Sequence, residues 1–287
     1  MKPTLIQAVD DVRFAVAHAR QRGLSIGLVP TMGALHEGHA SLIRAARAET
    51  GFVVVSIFVN PMQFGPKEDL SRYPRQLEKD LQLCRHEEVD AVFAPSAETM
   101  YPPGFCTYVE VTGRQDVLCG ASRPGHFRGV ATVVLKLFTI VQADVAYFGQ
   151  KDFQQVRIIE QMIGDLNVPV RLRRCPIVRE ADGLALSSRN QYLDPEQRRQ
   201  ALVLFQALEE ARENIEGGER DGDVIRRRLA ARIGTAPDAR LDYADVVDAE
   251  NLQSLKTVAG DVVIALAVKF GDTRLIDNMP VSVKRSL

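Results

Sequence analysis

The first half of the chain alternates short apolar runs with stretches of helical apolar spacing, and no other pattern in it restricts the fold as strongly. Leu24–Val29 and the β-branched Phe52–Val59 have the length and composition of buried parallel strands. Asp90–Ala94, Thr107–Val111 and Val145–Phe148 read as further short strands. Helical spacing begins at about Gly38 and recurs over Arg75–Glu88, Gly129–Val141 and Phe153–Ile163. This βα repetition predicts an α/β fold with a Rossmann-like, doubly wound parallel sheet covered by helices on both faces. Ligands of such sheets bind beyond the carboxyl ends of the strands. Thr31–His39, Asn60–Phe64 and Gly149–Asp152 fall at that edge.

The pattern changes near Cys175-Pro176. After a polar segment, Arg179–Asn190, amphipathic helices are expected over Pro195–Gly217 and Asp221–Arg232. Strands are expected over Leu241–Val247, Val262–Phe270 and Arg274–Asp277. They predict a smaller C-terminal α+β domain containing an antiparallel sheet. A chain of 287 residues accommodates both parts. The expected division is a Rossmann-like domain over residues 1–175 and a smaller lid domain over 176–287.

Charge excludes some functions. The 36 Lys and Arg nearly balance the 37 Asp and Glu, so no global field favours nucleic acid or an anionic membrane. Arg171, Arg173 and Arg174 alternate with Val170 and Leu172 as the exposed face of a strand would. Cys84, Cys106, Cys119 and Cys175 are far apart and show no zinc-site spacing, which suits reduced thiols. No apolar run has the length of a membrane span, and the start lacks the apolar run of a signal peptide. These features fit a cytoplasmic protein.

The chemistry centres on His36-x-Gly38-His39, where the first apolar run turns into a helix. A helix N-terminus offers N–H groups and a positive dipole end to phosphate, and histidines three apart share one face of the first turn. The plain alternative is a glycine-containing turn with two capping histidines. Asn60 and Gln63 follow the second run, and their amides suit a small hydroxy acid, although Asn60-Pro61 is also an ordinary turn. Gly149, Lys151 and Asp152 mark another strand-to-helix turn. Lysine can neutralise phosphate and aspartate can accept from ribose, with Gln155 one turn further on. Against this, Asp152 also suits a helix cap. In Leu184-Ala-Leu-Ser-Ser-Arg-Asn190, two hydroxyls and a guanidinium can grip phosphates, or the serines can cap a turn. Arg123-Pro-Gly-His-Phe-Arg-Gly129 is less specific, and His126 reads best as packed in a loop.

Taken together and in this order, the motifs closely resemble the pantoate–β-alanine ligase family, the pantothenate synthetases, along nearly the whole chain. The resemblance rests on Pro30–His39, Phe58–Phe64, Tyr73-Pro-Arg75, Arg123–Gly129, Phe148–Asp152 and Leu186–Asn190, with no core motif residue replaced. The family belongs to the His-x-Gly-His nucleotidyl-transferase superfamily. It implies that the carboxylate of (R)-pantoate attacks the α-phosphorus of Mg-ATP, and that β-alanine then attacks the pantoyl adenylate, releasing AMP. By resemblance, Met32, Gly33, Ala34, Leu35, His36, Glu37, Gly38 and His39 line the ATP site, with His39 assisting adenylation beside His36. Gly149, Gln150, Lys151 and Asp152 take ribose and phosphate. Val178 meets adenine through its backbone, and Leu186, Ser187, Ser188 and Arg189 close over the triphosphate. Gln63 and Gln155 hold pantoate, Gln63 also lying near β-alanine, and Pro30, Met32, Val133 and Val134 are candidates for an apolar wall. The resemblance implies ATP with Mg2+ as substrate, no tightly bound organic cofactor and a homodimer, and leaves the Mg2+ ligands open. Two other readings remain: a nucleotidyltransferase that keeps the adenylyl group in its product, and an inert nucleotide-binding regulator. Release of free AMP separates the first, and pantoate-dependent ATP turnover the second.

Overall fold

A computed structural model describes residues 2–66 and 68–283. Strands β1 (Thr4–Ile6), β2 (Ile26–Thr31), β3 (Phe52–Ile57), β4 (Ala91–Phe93), β5 (Val145–Gly149) and β6 (Arg171–Cys175) form one parallel sheet. Their order is β1-β4-β3-β2-β5-β6. Strands β7 (Ala239–Asp248), β8 (Gly260–Phe270) and β9 (Thr273–Val283) form an antiparallel sheet with β8 in the middle. The helices are α1 (Val9–Gln21), α2 (Glu37–Glu49), α3 (Leu77–His86), α4 (Ala97–Met100), α5 (Cys119–Ser122), α6 (His126–Val141), α7 (Phe153–Asp165), α8 (Pro195–Gln200), α9 (Val203–Glu216) and α10 (Gly222–Ile233). The expected α/β class with a smaller antiparallel sheet is present.

Two compact units divide the chain. The first comprises Met1–Gln115, Arg123–Gln150 and Gln155–Pro176, and the second Asp116–Ser122, Lys151–Gln154 and Ile177–Leu287. A single cut after residue 175 therefore does not describe the division, because two short segments that precede it belong to the second unit.

Within the first unit, Ile26, Leu28 and Val29 of β2 have no exposed surface. An interior strand has both faces covered, hence the unbroken apolar run. Edge strand β6 instead exposes Arg171, Arg173 and Arg174, and Arg174 pairs with Glu160 at 2.6 Å. From β2 the chain moves through β3 to β4 on one side, whereas β5 lies on the other side and leads to β6. The order thus reverses between β2 and β5, which places the carboxyl ends of β3, β2 and β5 side by side at a switch point.

In the second unit, β8 is buried from Val262 to Val268 because each face meets a different cluster. Val262, Ile264, Leu266 and Val268 join Leu204, Leu208, Ile225 and Leu229 of α9 and α10. Val263 and Ala265 join Phe153, Val247 and Leu252.

Two expected elements differ. Thr107–Val111 is not a strand: the Val109 N–H donates to Thr132 Oγ1 at 2.9 Å and the Val111 N–H to Gln115 Oε1 at 3.3 Å. Side chains take the donors that a ladder would have used. The helix expected over Pro195–Gly217 is interrupted at Ala201-Leu202, where i+3 bonds from Leu202 N to Arg199 O and from Leu204 N to Ala201 O replace the regular ladder. No helix is long and apolar enough to cross a membrane among the described residues.

Candidate active site

β2 ends at Thr31, and the following turn contains two consecutive left-handed residues, Gly33 (φ +84°) and Ala34 (φ +52°). Glycine takes this conformation freely, whereas alanine meets a penalty of roughly 1–2 kcal/mol, so its surroundings must hold it. Thr31 Oγ1 accepts the Gly33 N–H at 3.1 Å and donates to the Ser56 carbonyl at 2.7 Å. From α3, the buried Asp80 carboxylate accepts the Ala34 N–H at 3.0 Å and the Leu35 N–H at 2.8 Å. Burial pushes the Asp80 carboxyl above its ordinary range, while these two N–H bonds pull it down.

His36 then caps α2. Its Nδ1 accepts the Gly38 N–H at 3.1 Å, and His39 Nδ1 accepts the His36 N–H at 3.2 Å. Each Nδ1 is an acceptor, so the proton of each neutral ring sits on Nε2. The ring centroids are 4.2 Å apart. Capping and phosphate chemistry are therefore compatible here, because the cap selects the tautomer whose Nε2 donates. Glu37, in the same first turn, is exposed and pairs with Arg44.

Past β3, the chain bends through a 3-10 turn, Pro61–Gln63. Asn60 is 1% exposed and fully engaged, donating to Gln63 Oε1 and Gly129 O, both at 3.1 Å, and accepting from Met62 N and Tyr101 OH. It organises the turn. Gln63 Nε2 lies 3.0 Å from Met32 Sδ, which ties this turn to the one after β2. The Gln63 carbonyl accepts from His126 Nδ1 at 2.7 Å and Arg123 Nη2 at 3.2 Å. A carbonyl only accepts, so His126 carries its proton on Nδ1 and its Nε2 accepts from Arg123 Nη1 at 3.0 Å. Arg123 also grips Glu68 with two bonds of 2.7 Å. His126, read from sequence as loop packing, supports the backbone of Gln63.

Gly149 and Gln150 end one segment of the first unit after β5, and the half-buried Gln155, on α7, begins its next segment. Val133 and Val134 are only 6% and 4% exposed on α6, whereas Pro30 and Met32 keep more accessible surface.

In the second unit, Lys151 Nζ stands 3.9 Å from Asp152 Oδ1. The Lys151 carbonyl accepts from Asn278 Nδ2 at 2.8 Å. Next to Asn278, the buried Asp277 receives both guanidinium branches of Arg179, at 2.6 and 2.9 Å. Arg179 also donates to Gly183 O at 3.0 Å and lies over the Phe205 ring. These bonds anchor a short hairpin in which Leu186 N–H donates to Val178 O at 3.0 Å. The segment Ser188–Tyr192 follows as a 3-10 turn, with Ser187 Oγ accepting the Arg189 N–H at 3.2 Å. Asn190 Nδ2 ties the turn to Glu180 and to the Ala185 carbonyl, both at 3.1 Å. The serine–serine–arginine segment thus sits on a braced support.

Among the described residues, no group of three or more His, Cys, Asp and Glu is arranged to hold a metal ion. All cysteines are unpaired thiols, Cys106 exposed and the others buried, and burial pushes Cys84 up to about 12. Sequence reading passed over Asp80, Glu68, Arg179, Asp277 and Asn278. For Asp80 a signal existed: it shares the buried face of α3 with Cys84, one turn away, and an acid on an apolar face calls for partners. The others are paired through contacts distant in sequence, which no local pattern reveals.

The chain is similar to known proteins along nearly its whole length. A family model described as pantoate-beta-alanine ligase matches residues 4–280. A pantothenate synthetase of Moorella thermoacetica is 60% identical, the match covering 97% of this chain and 99% of that protein. The crystal structure of pantothenate synthetase from Thermus thermophilus is similar with a TM-score of 0.91 and 45% identity, over 96% of this chain and 98% of that one. The pantoate-beta-alanine ligase of Francisella tularensis, complexed with beta-gamma ATP and beta-alanine, is similar with a TM-score of 0.79 and 34% identity, over 96% and 97%.

Proposed function

The chain belongs to the pantoate–β-alanine ligase family, and we infer that it condenses pantoate with β-alanine using ATP, releasing AMP and pyrophosphate. A carboxylate is a poor acyl donor because its leaving group would be oxide. Transfer of AMP to that carboxylate supplies a good leaving group, so the reaction takes two steps through pantoyl adenylate.

In this proposal ATP enters as its Mg2+ complex, and the chain positions it. Met32–His39 line the nucleotide, with the N-terminus of α2 facing phosphate and the His39 Nε2–H donating to charge that develops at the α-phosphorus. His36 keeps its neighbour in that tautomer through the reciprocal cap. Gly149 and Gln150 carry the backbone past the nucleotide, Lys151 neutralises phosphate charge, and Asp152 accepts from ribose. Val178 meets adenine, while Leu186, Ser187, Ser188 and Arg189 take the departing pyrophosphate. Gln63 and Gln155 bind pantoate through neutral amides, and Gln63 also meets β-alanine. Both steps run without any tightly bound organic group. We place the enzyme in the cytoplasm, where the ATP pool lies, and as a homodimer on its family resemblance. Sedimentation velocity tests the latter.

The observation that carries the reading is the capped His36/His39 pair at the switch point, next to a turn that presents Gln63. Pantoate-dependent ATP–pyrophosphate exchange in the absence of β-alanine, followed by AMP and pantothenate release on its addition, is the expected result. A product that retains the adenylyl group would overturn it in favour of a nucleotidyltransferase.

A further inference from the structure

The turn after β2 must hold Ala34 at φ +52°, and the atoms that hold it come from outside the turn. Asp80, on the first turn of α3, is 2% exposed. Each of its carboxylate oxygens takes one backbone N–H of the turn, Oδ2 that of Ala34 at 3.0 Å and Oδ1 that of Leu35 at 2.8 Å. The fit is tight on its other side as well. A Cβ at Gly33 would stand 3.0 Å from Asp80 Oδ2 and 3.1 Å from Ile57 Cγ2. Carboxylate, glycine and left-handed alanine therefore determine one another. The residue that follows Leu35 is His36, the cap of α2, so the same two bonds set where the histidine pair begins.

We infer that Asp80 is a positioning residue for the nucleotide, holding Met32–Leu35 and the start of α2 in the shape that ATP requires. This inference rests on the assignment of Met32–His39 to ATP. A carboxylate suits the role better than an amide, because two N–H donors need two acceptors and a side-chain amide offers one. Asp80 does not touch the reacting atoms in this scheme; it acts through the backbone of Ala34 and Leu35.

Asp80→Asn keeps the side-chain shape and turns a donor toward one of those N–H groups. In pantoate-dependent ATP–pyrophosphate exchange, the KM for ATP is expected to rise about tenfold, as the loss of one charge-assisted hydrogen bond implies, with the KM for pantoate nearly unchanged. Cys84→Ala, one turn along the same helix and fully buried, serves as the packing control: it lowers Tm and leaves the KM for ATP alone. An unchanged KM for ATP in Asp80→Asn, or an equal rise for both substrates, overturns the inference. Hydrogen exchange of the Ala34 and Leu35 amides in the unaltered protein decides the matter independently of any variant's folding. Protection comparable with helix amides supports the inference, and exchange at open-loop rates overturns it. Absence of pantoate-dependent exchange in the unaltered protein would refute the ligase reading instead, a result that the variants cannot mimic.

Discussion

Replacing Gly129 by alanine sets two effects of opposite sign against each other. The residue lies inside α6, where alanine favours the helix by about 1 kcal/mol. A Cβ there, however, would stand 2.2 Å from Met62 O, 2.5 Å from Met62 C and 2.7 Å from Gln63 N. All three are backbone atoms, so no side chain can swing aside. Reaching even a 3.0 Å separation needs a shift of at least 0.8 Å (3.0 − 2.2) between α6 and the Pro61–Gln63 turn. Overpacking of this kind costs about 1–3 kcal/mol, and strain on the Asn60–Gly129 hydrogen bond adds about 1 kcal/mol. The steric side wins, by about 1–3 kcal/mol net. The displaced turn carries Gln63, and a misplacement of about 1 Å can cost about 100-fold in catalysis. Calorimetry should show Tm lowered by several degrees, and initial rates with varied pantoate should show kcat/KM reduced about 10- to 100-fold. A raised Tm with normal pantoate kinetics would refute the reasoning, since propensity would then have prevailed.

His39→Ala should slow single-turnover adenylate formation about 10²–10³-fold, and should destabilise α2 by about 0.5–2 kcal/mol because His39 is half of its cap. Near-normal adenylate formation would remove His39 from the chemistry. Gln155→Ala should weaken pantoate binding about tenfold while sparing ATP, a difference that calorimetry with each ligand resolves; equal losses would make the residue a general support. Burial pushes the Glu68 carboxyl up, but the bonds and charge of Arg123 outweigh it and hold it below its ordinary 4.5. The unfolded chain then binds more protons, so this pair's contribution is complete above about pH 4.5 and is lost as pH falls through the folded-state value. Glu68→Gln should flatten the acid limb of stability measured by urea unfolding, and an unchanged limb would contradict the pairing.

The parallel sheet was legible because interior strands such as β2 and β3 are apolar on both faces and cannot be read otherwise. The motifs after β2, β3 and β5 were legible for the same reason, since each follows an unmistakable strand. Thr107–Val111 misled because extended, β-prone residues need a neighbour to become a strand, and here Thr132 and Gln115 take the N–H groups. The break at Ala201-Leu202 left no mark, as both residues suit a helix. Asn60, weighed both as an amide ligand and as part of an ordinary turn, serves the turn, whereas His126 reads best as loop packing and its bond to the Gln63 carbonyl is revealed by the partner alone. Asp277 and Asn278 stand about a hundred positions from Arg179 and Lys151 respectively, or more, beyond the reach of any local pattern.

The two excursions of the chain into the second unit have a consequence for how the molecule can be made. Val117, Leu118 and Phe153 belong to an apolar cluster with Val247, Leu252 and Val263, although they are synthesised long before those partners. A nascent chain that has emerged only as far as Pro176 carries the entire parallel sheet, yet must keep those three side chains in water or in the care of a chaperone until the last strands arrive. A gene fragment cut at that point inherits the same exposed surface permanently, and one beginning at Ile177 lacks part of its own core. Neither half is a natural unit of expression, even though each contains a complete sheet.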